Sequence, residues 1–156
     1  MILKGIIDED FVNYKVPSMI LEFPYCTFKC GGEYCQNSEL AKERNIKINT
    51  DTVCYRYNNN PITEALICQG LEPFDSWEDL LDLILTLRVG FGCLDDIVIY
   101  TGYNKDEIDD KISELKNLTC NIIIKYGRFL PNQQPHYDKV LGVNLASDNQ
   151  YAERIS

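Results

Sequence analysis

The sequence predicts an α/β fold, a parallel sheet with helices alternating between its strands. Three observations carry this. Short runs such as Asp96-Ile97-Val98-Ile99-Tyr100 and Asn121-Ile122-Ile123-Ile124-Lys125 are apolar along most of their length, as strands covered on both faces are. Between such runs lie segments with apolar residues at helical spacing. Glycine- or proline-bearing turns follow the strands. A chain of 156 residues with 45% hydrophobic content is long enough for one core and short for two, so residues 1–156 read as a single domain.

Residues 1–17 mix charge and apolar groups without a clear period and read as an entry segment ending at Pro17. Ser18-Met19-Ile20-Leu21-Glu22-Phe23 reads as a strand stopped by Pro24, which cannot donate a ladder hydrogen bond. A loop rich in cysteine follows, and from Gln36 to about Arg44 the residues favour helix. A second helix starts at Thr50 or Asp51 and closes at Asn58-Asn59-Asn60-Pro61. Thr63 to Cys68 is a buried strand that runs into Gln69-Gly70-Leu71-Glu72-Pro73. Ser76-Trp77-Glu78-Asp79 has the outline of a capping box, with helical spacing continuing through Leu80, Leu81, Ile84, Leu85 and Arg88 and stopping at Gly90 and Gly92.

The strand at residues 96–100 closes in Thr101-Gly102-Tyr103. A helix from about Lys105 to Lys116 keeps Ile108, Ile112 and Leu115 on one stripe, and the strand at residues 121–125 follows. The tail from Tyr126 reads mostly as loop, including the only histidine, His136, with Lys139 to Val143 a possible edge strand. There is no internal repeat or low-complexity linker.

The formal net charge of -9 argues against a nucleic-acid binder, because affinity for phosphates depends on clustered Lys and Arg. No apolar run approaches the roughly 20 residues of a membrane span, and Met1-Ile2-Leu3-Lys4 does not open a secretion signal, so the cytoplasm is expected. Seven cysteines is an odd number, which weakens a disulfide framework and favours metal or catalytic use of some of them. Cys54, Cys68, Cys93 and Cys120 stand singly among apolar residues and read as small buried hydrophobes.

Cys26, Cys30 and Cys35 fall within ten residues on one loop. Three thiolates can bind zinc or an iron-sulfur cluster, and spacing alone leaves both open beside unliganded thiols. A structural zinc site needs a fourth protein ligand, whereas a cluster with three cysteines keeps one iron open for a substrate or cofactor. Gly31 and Gly32 let the loop bring backbone N–H groups close to sulfur. In a parallel sheet, ligands gather beyond the carboxyl ends of the strands, and those ends carry the cysteine loop, Gly70-Leu71-Glu72-Pro73 and Thr101-Gly102-Tyr103.

With the spacing Cys26-x3-Cys30, the pair Tyr34-Cys35 and their place after a first strand, the chain resembles the radical S-adenosylmethionine enzymes. More narrowly, Cys35-Gln36-Asn37-Ser38, Gly70-Leu71-Glu72-Pro73, Ile99 to Tyr103, Gly127-Arg128-Phe129 and Leu145 to Gln150 resemble, in that order, segments of the activating proteins of anaerobic ribonucleotide reductases, over a core of about residues 18–150. The resemblance implies a short partial β/α barrel and a [4Fe-4S] cluster on Cys26, Cys30 and Cys35, with S-adenosyl-L-methionine on the open iron. It also implies an oxidoreductase that forms a 5′-deoxyadenosyl radical and, from it, a glycyl radical on the reductase, fed by a low-potential donor such as flavodoxin or ferredoxin.

The implied cofactor contacts are Tyr34 at adenine, Gly70, Leu71, Glu72 and Pro73 along the methionyl amino group, and Thr101 and Gly102, with no catalytic residue beyond the cluster ligands. Four departures stand out: four residues between Cys30 and Cys35 where two are usual, Leu71 for a second glycine, Lys125 where an acidic residue is common, and Leu145-Ala146 for an Arg-Gly pair. The alternatives are the same chemistry on another peptide or a small molecule, and a non-catalytic zinc-binding interaction module.

Overall fold

The computed structural model describes residues 1–29, 31 and 35–156. The first strands are β1 (Ile2–Leu3) and β2 (Gly5–Asp10), followed by β3 (Ser18–Phe23). Helix α1 (Ser38–Lys42), strand β4 (Ile46–Lys47) and helix α2 (Thr50–Asn58) lead to β5 (Ala65–Gly70). A 3-10 turn over Pro73–Ser76 runs into α3 (Trp77–Leu85), which unwinds through a π turn at Thr86–Gly90 before β6 (Asp96–Tyr100). Helix α4 (Asp109–Leu118) and β7 (Ile122–Tyr126) follow, and the tail holds β8 (His136–Asp138), β9 (Val143–Leu145) and β10 (Tyr151–Arg154).

Among the described residues the main sheet has six strands in the order β10-β7-β6-β5-β3-β2. β3, β5, β6 and β7 are parallel, while β2 and β10 add antiparallel edges, so the sheet is mixed. The entry segment therefore forms strands, where no period had been legible. β2 is an edge strand of alternating exposure and Asp8 on it pairs with Arg56 of α2, so charge is tolerated along it.

The two faces of the sheet are covered differently. Val53 and Tyr57 of α2, Leu80, Leu83 and Ile84 of α3, and Ile112 and Leu115 of α4 pack on one face against Met19, Leu21, Leu66, Ile97 and Ile124. On the other, Ile20, Ala65, Ile67, Val98 and Ile123 meet Tyr14, Leu141 and Leu145. The apolar row Ile20, Ile67, Val98 and Ile123 is in cross-strand register. Two residues further along each strand, on the same face, stand Glu22, Gln69, Tyr100 and Lys125. A polar layer thus replaces the apolar one at the carboxyl ends.

Local chemistry explains where the sequence-based expectations fail. Ser76 makes no side-chain cap, and its buried hydroxyl lacks a partner among the described residues, because the chain enters α3 already coiled as a 3-10 turn. Asp79 accepts the Ile2 N–H instead, at 2.9 Å. The expected edge strand at residues 139–143 is a turn: Asp138 Oδ1 accepts the N–H groups of Val140 and Leu141, both at 2.9 Å, and Gly142 takes a φ of 76°. His136 stands in β8 rather than a loop. Cys54 and Cys68 are buried as expected, Cys93 is half-buried, and Cys120 is exposed in the turn between α4 and β7. No described helix is long and apolar enough to cross a membrane.

Leu141 is fully buried on the face that no described helix covers. Leu141→Ala is expected to cost about 2–5 kcal/mol, read as a lower urea midpoint at unchanged slope. A loss below about 0.5 kcal/mol would make the tail a passive loop.

Candidate functional site

The carboxyl ends of β3, β5, β6 and β7 surround an open cavity of roughly 770 Å³, mouth included. Cys26 and Cys35 line it together with Leu71, Glu72, Thr101 and Gly102. Six of the residues singled out in the sequence are thus brought to one cavity from three segments. Cys30 and Tyr34 lie outside the described residues, as does Gly32. Gly70 and Pro73 are not in the lining; they shape the backbone behind it.

Gly70 has a φ of 100°, and a Cβ there would stand 2.6 Å from the Phe23 nitrogen. Only glycine allows that approach without displacement. Beyond it the pairing continues, with Leu71 N–H donating to Phe23 O at 3.0 Å and Glu72 N–H to Tyr25 O at 2.8 Å. The first residues of the cysteine loop are therefore tied to the segment that carries Glu72. Pro73 opens the 3-10 turn that aims the Glu72 side chain back at its own backbone.

Glu72 is only 4% exposed. Its Oε1 accepts the Thr101 hydroxyl at 2.8 Å and the Phe74 N–H at 3.2 Å, and its Oε2 accepts the Gly102 N–H at 2.9 Å. Burial raises its pKa from 4.5 to about 7, against the lowering effect of the bonds from Gly102, Thr101 and Phe74. Thr101 and Gly102 are thus the donors that make the buried carboxylate tenable, a role no turn motif announces.

Lys125, 7% exposed, donates to the Gly127 carbonyl at 3.0 Å and lines the same cavity. Burial lowers its pKa from 10.5 to about 8, and the charge of Glu72 works in the opposite sense. Asn149 and Gln150 hold the neighbouring loop, through bonds from Asn149 Nδ2 to Arg128 O at 2.9 Å and from Gln150 Nε2 to Gly127 O at 3.2 Å.

The cysteine loop has features suited to a soft-metal group. Cys26 Sγ accepts the Phe28 N–H at 3.2 Å, the kind of bond that stabilises a thiolate ligand. Phe28 holds a φ of 52°, a region a bulky residue enters only under constraint from its surroundings. Lys29, Lys125 and Arg128 line the cavity, Arg128 in an ion pair with Glu107. Among the described residues no group of three or more His, Cys, Asp or Glu is placed to hold a metal, and the expected third thiol is the one at residue 30.

Sequence reasoning passed over Thr27, Phe28 and Asp75. Thr27 and Asp75 act through hydrogen bonds between distant segments, and nothing in the local sequence around Phe28 signals a positive φ.

The two buried charges give a pH signature. Between 4.5 and about 7 the folded chain keeps a proton on Glu72 that the unfolded chain releases, so stability falls as pH rises through that window. Between about 8 and 10.5 the folded chain gives up a Lys125 proton that the unfolded chain keeps, so stability rises with pH there. Metal-free wild type is expected to lose on the order of 2 kcal/mol relative to Glu72→Gln between pH 5 and pH 7.5 in urea titrations. Parallel pH profiles for the two proteins would show that Glu72 is not the group responsible.

Comparison with curated proteins and with solved structures returns no match. A family model described as a 4Fe-4S single cluster domain matches residues 18–150, which span the sheet from β3 to the last turn before β10 and include all three loop cysteines. The chain belongs to the 4Fe-4S single cluster domain family, an iron-sulfur family.

Proposed function

We propose that the chain is a radical S-adenosylmethionine enzyme, an activase that generates a glycyl radical on an anaerobic ribonucleotide reductase. The observation that carries this reading is the shared cavity: Cys26 and Cys35 line it with Glu72, Thr101 and Gly102 from the next two strand ends. Cys26, Cys30 and Cys35 hold the cluster in this reading. When bound, it supplies the electron that splits S-adenosylmethionine into methionine and a 5′-deoxyadenosyl radical, which takes a hydrogen atom from a glycine Cα of the reductase.

The chain's own residues bind and orient. A carboxylate offers about four acceptor positions. Glu72 uses three on Phe74, Thr101 and Gly102, which leaves acceptor capacity on Oε2 for the methionyl ammonium. Lys125 has about three donors. It places one on Gly127 O, and the others suit an anionic group in the cavity. Tyr34 is the adenine contact in this reading. Helices on one face and a cavity open at the strand ends are compatible with a short partial barrel, its open side admitting a glycine-bearing loop of the partner. A flavodoxin- or ferredoxin-type protein serves as donor.

Anaerobic reconstitution with iron and sulfide, reduction and addition of S-adenosylmethionine are expected to yield an EPR-active cluster and 5′-deoxyadenosine. Cys35→Ala is expected to lose both. Glu72→Gln is expected to keep the cluster while weakening S-adenosylmethionine binding about 10- to 100-fold, the worth of one hydrogen bond to a charged group. Zinc without iron in anaerobically purified protein would sink the proposal. Cleavage with no glycyl radical on the reductase would move the reading to another substrate.

A further inference from the structure

We infer that Tyr103, together with Asp75, is a positioning residue that fixes the cysteine loop on both sides of Phe28, so that Cys26 faces the cavity before any cluster binds. The inference rests on Cys26 being a cluster ligand. Asp75 Oδ2 accepts the Thr27 N–H at 2.8 Å, and Asp75 Oδ1 accepts the Tyr103 hydroxyl at 2.7 Å. The same hydroxyl lies 3.2 Å from Thr27 Oγ1. Three segments distant in sequence, the loop, the turn after β5 and the turn after β6, therefore meet at one phenol oxygen.

The ring works on the other side of the turn. Lys29 Nζ stands 4.9 Å from its centroid and Arg128 Cζ stands 5.8 Å from it. Thr27 follows Cys26 and Lys29 precedes Cys30, so one tyrosine contacts both ends of the three-residue interval between two ligand positions. Tyr103 is itself fixed, 8% exposed, with its N–H on Thr101 Oγ1 at 3.0 Å and its carbonyl accepting the Gly127 N–H at 3.1 Å. Arg128 is held by Glu107 at 2.7 and 2.8 Å.

A rigid anchor acting on both sides accounts for Phe28 remaining at a φ of 52°. The Phe28 N–H belongs to the peptide that joins it to Thr27, so the hold on Thr27 also fixes the N–H that donates to Cys26 Sγ. Without it, the loop has less reason to keep that sulfur in place.

The test uses the full chain. Tyr103→Phe keeps the ring and removes the hydroxyl bonds, and Asp75→Ala removes the acceptor. In metal-free, reduced protein the Thr27 amide is expected to exchange with deuterium about three- to tenfold faster in both variants. The Ile99 and Ile124 amides should stay at wild-type rates. After anaerobic reconstitution both variants are expected to hold fewer iron atoms per chain and to show an altered EPR line shape.

Thr27 exchange within about twofold of wild type in Tyr103→Phe would overturn the inference. So would faster exchange with wild-type iron content and line shape, because the clamp would then not serve the ligand. If Asp75→Ala loosens the whole fold, Tyr103→Phe decides alone. Wild type that takes up no iron sinks the cluster assignment separately, since the exchange experiment is read without metal.

Discussion

The buried carboxylate of Glu72 is the constraint on which the rest of the site depends. Removing an ionised carboxylate from water costs several kcal/mol unless donors replace the lost hydration. Here the donors come from Phe74 in the adjoining turn and from Thr101 and Gly102 at the end of β6. The ends of β5 and β6 must therefore stay in register at the cavity. Thr101 Oγ1 donates to Glu72 and accepts the Tyr103 N–H, Tyr103 reaches Asp75, and Asp75 holds Thr27. A line of hydrogen bonds runs from the buried acid to the residue after Cys26.

The sheet supplies the platform for that line. Its apolar row of Ile20, Ile67, Val98 and Ile123 is sealed by Tyr14, Leu141 and Leu145, on the face that no described helix covers. One pleat further on, the same face carries Glu22, Gln69, Tyr100 and Lys125. The change from apolar to polar occurs at one level in four adjacent strands, and on β6 and β7 the polar residues, Tyr100 and Lys125, line the cavity. Tail and site are coupled in this way: the hairpin of β8 and β9 closes the sheet below the cavity, while Gln150 and Asn149 hold the Gly127–Arg128 backbone beside it.

How much of this was legible depends on the range of the interaction. β3 and β6 have the bounds read from the sequence, because a run of residues covered on both faces needs no partner to be recognised. α2 starts at Thr50 with Asn49 as its cap, one residue from where the caps were sought. β2 and β10 were not legible: edge strands carry charge, and their pairing is decided by neighbours distant in sequence. Asp138 was equally silent, since its turn depends on one carboxylate serving Val140, Leu141 and Ala152. In the site, the cysteines and Glu72 could be named from spacing and motif. The burial of Glu72, the clamp at Tyr103 and the positive φ of Phe28 are properties of three chain segments meeting, which no local pattern encodes.

Charge gives the last step. The chain carries a formal net charge of -9, yet Lys29, Lys125 and Arg128 line a cavity where Glu72 is the acid among the described lining residues. Such a local excess of cations in an acidic protein favours anionic groups, and a thiolate-ligated cluster is one. Lys125 feels this most directly. Burial depresses its pKa to about 8, while each negative charge brought near it works the other way. Binding of an anion in the cavity and retention of the Lys125 proton are therefore linked, each favouring the other. A lysine at this position shifts the balance of the cavity toward holding negative charge.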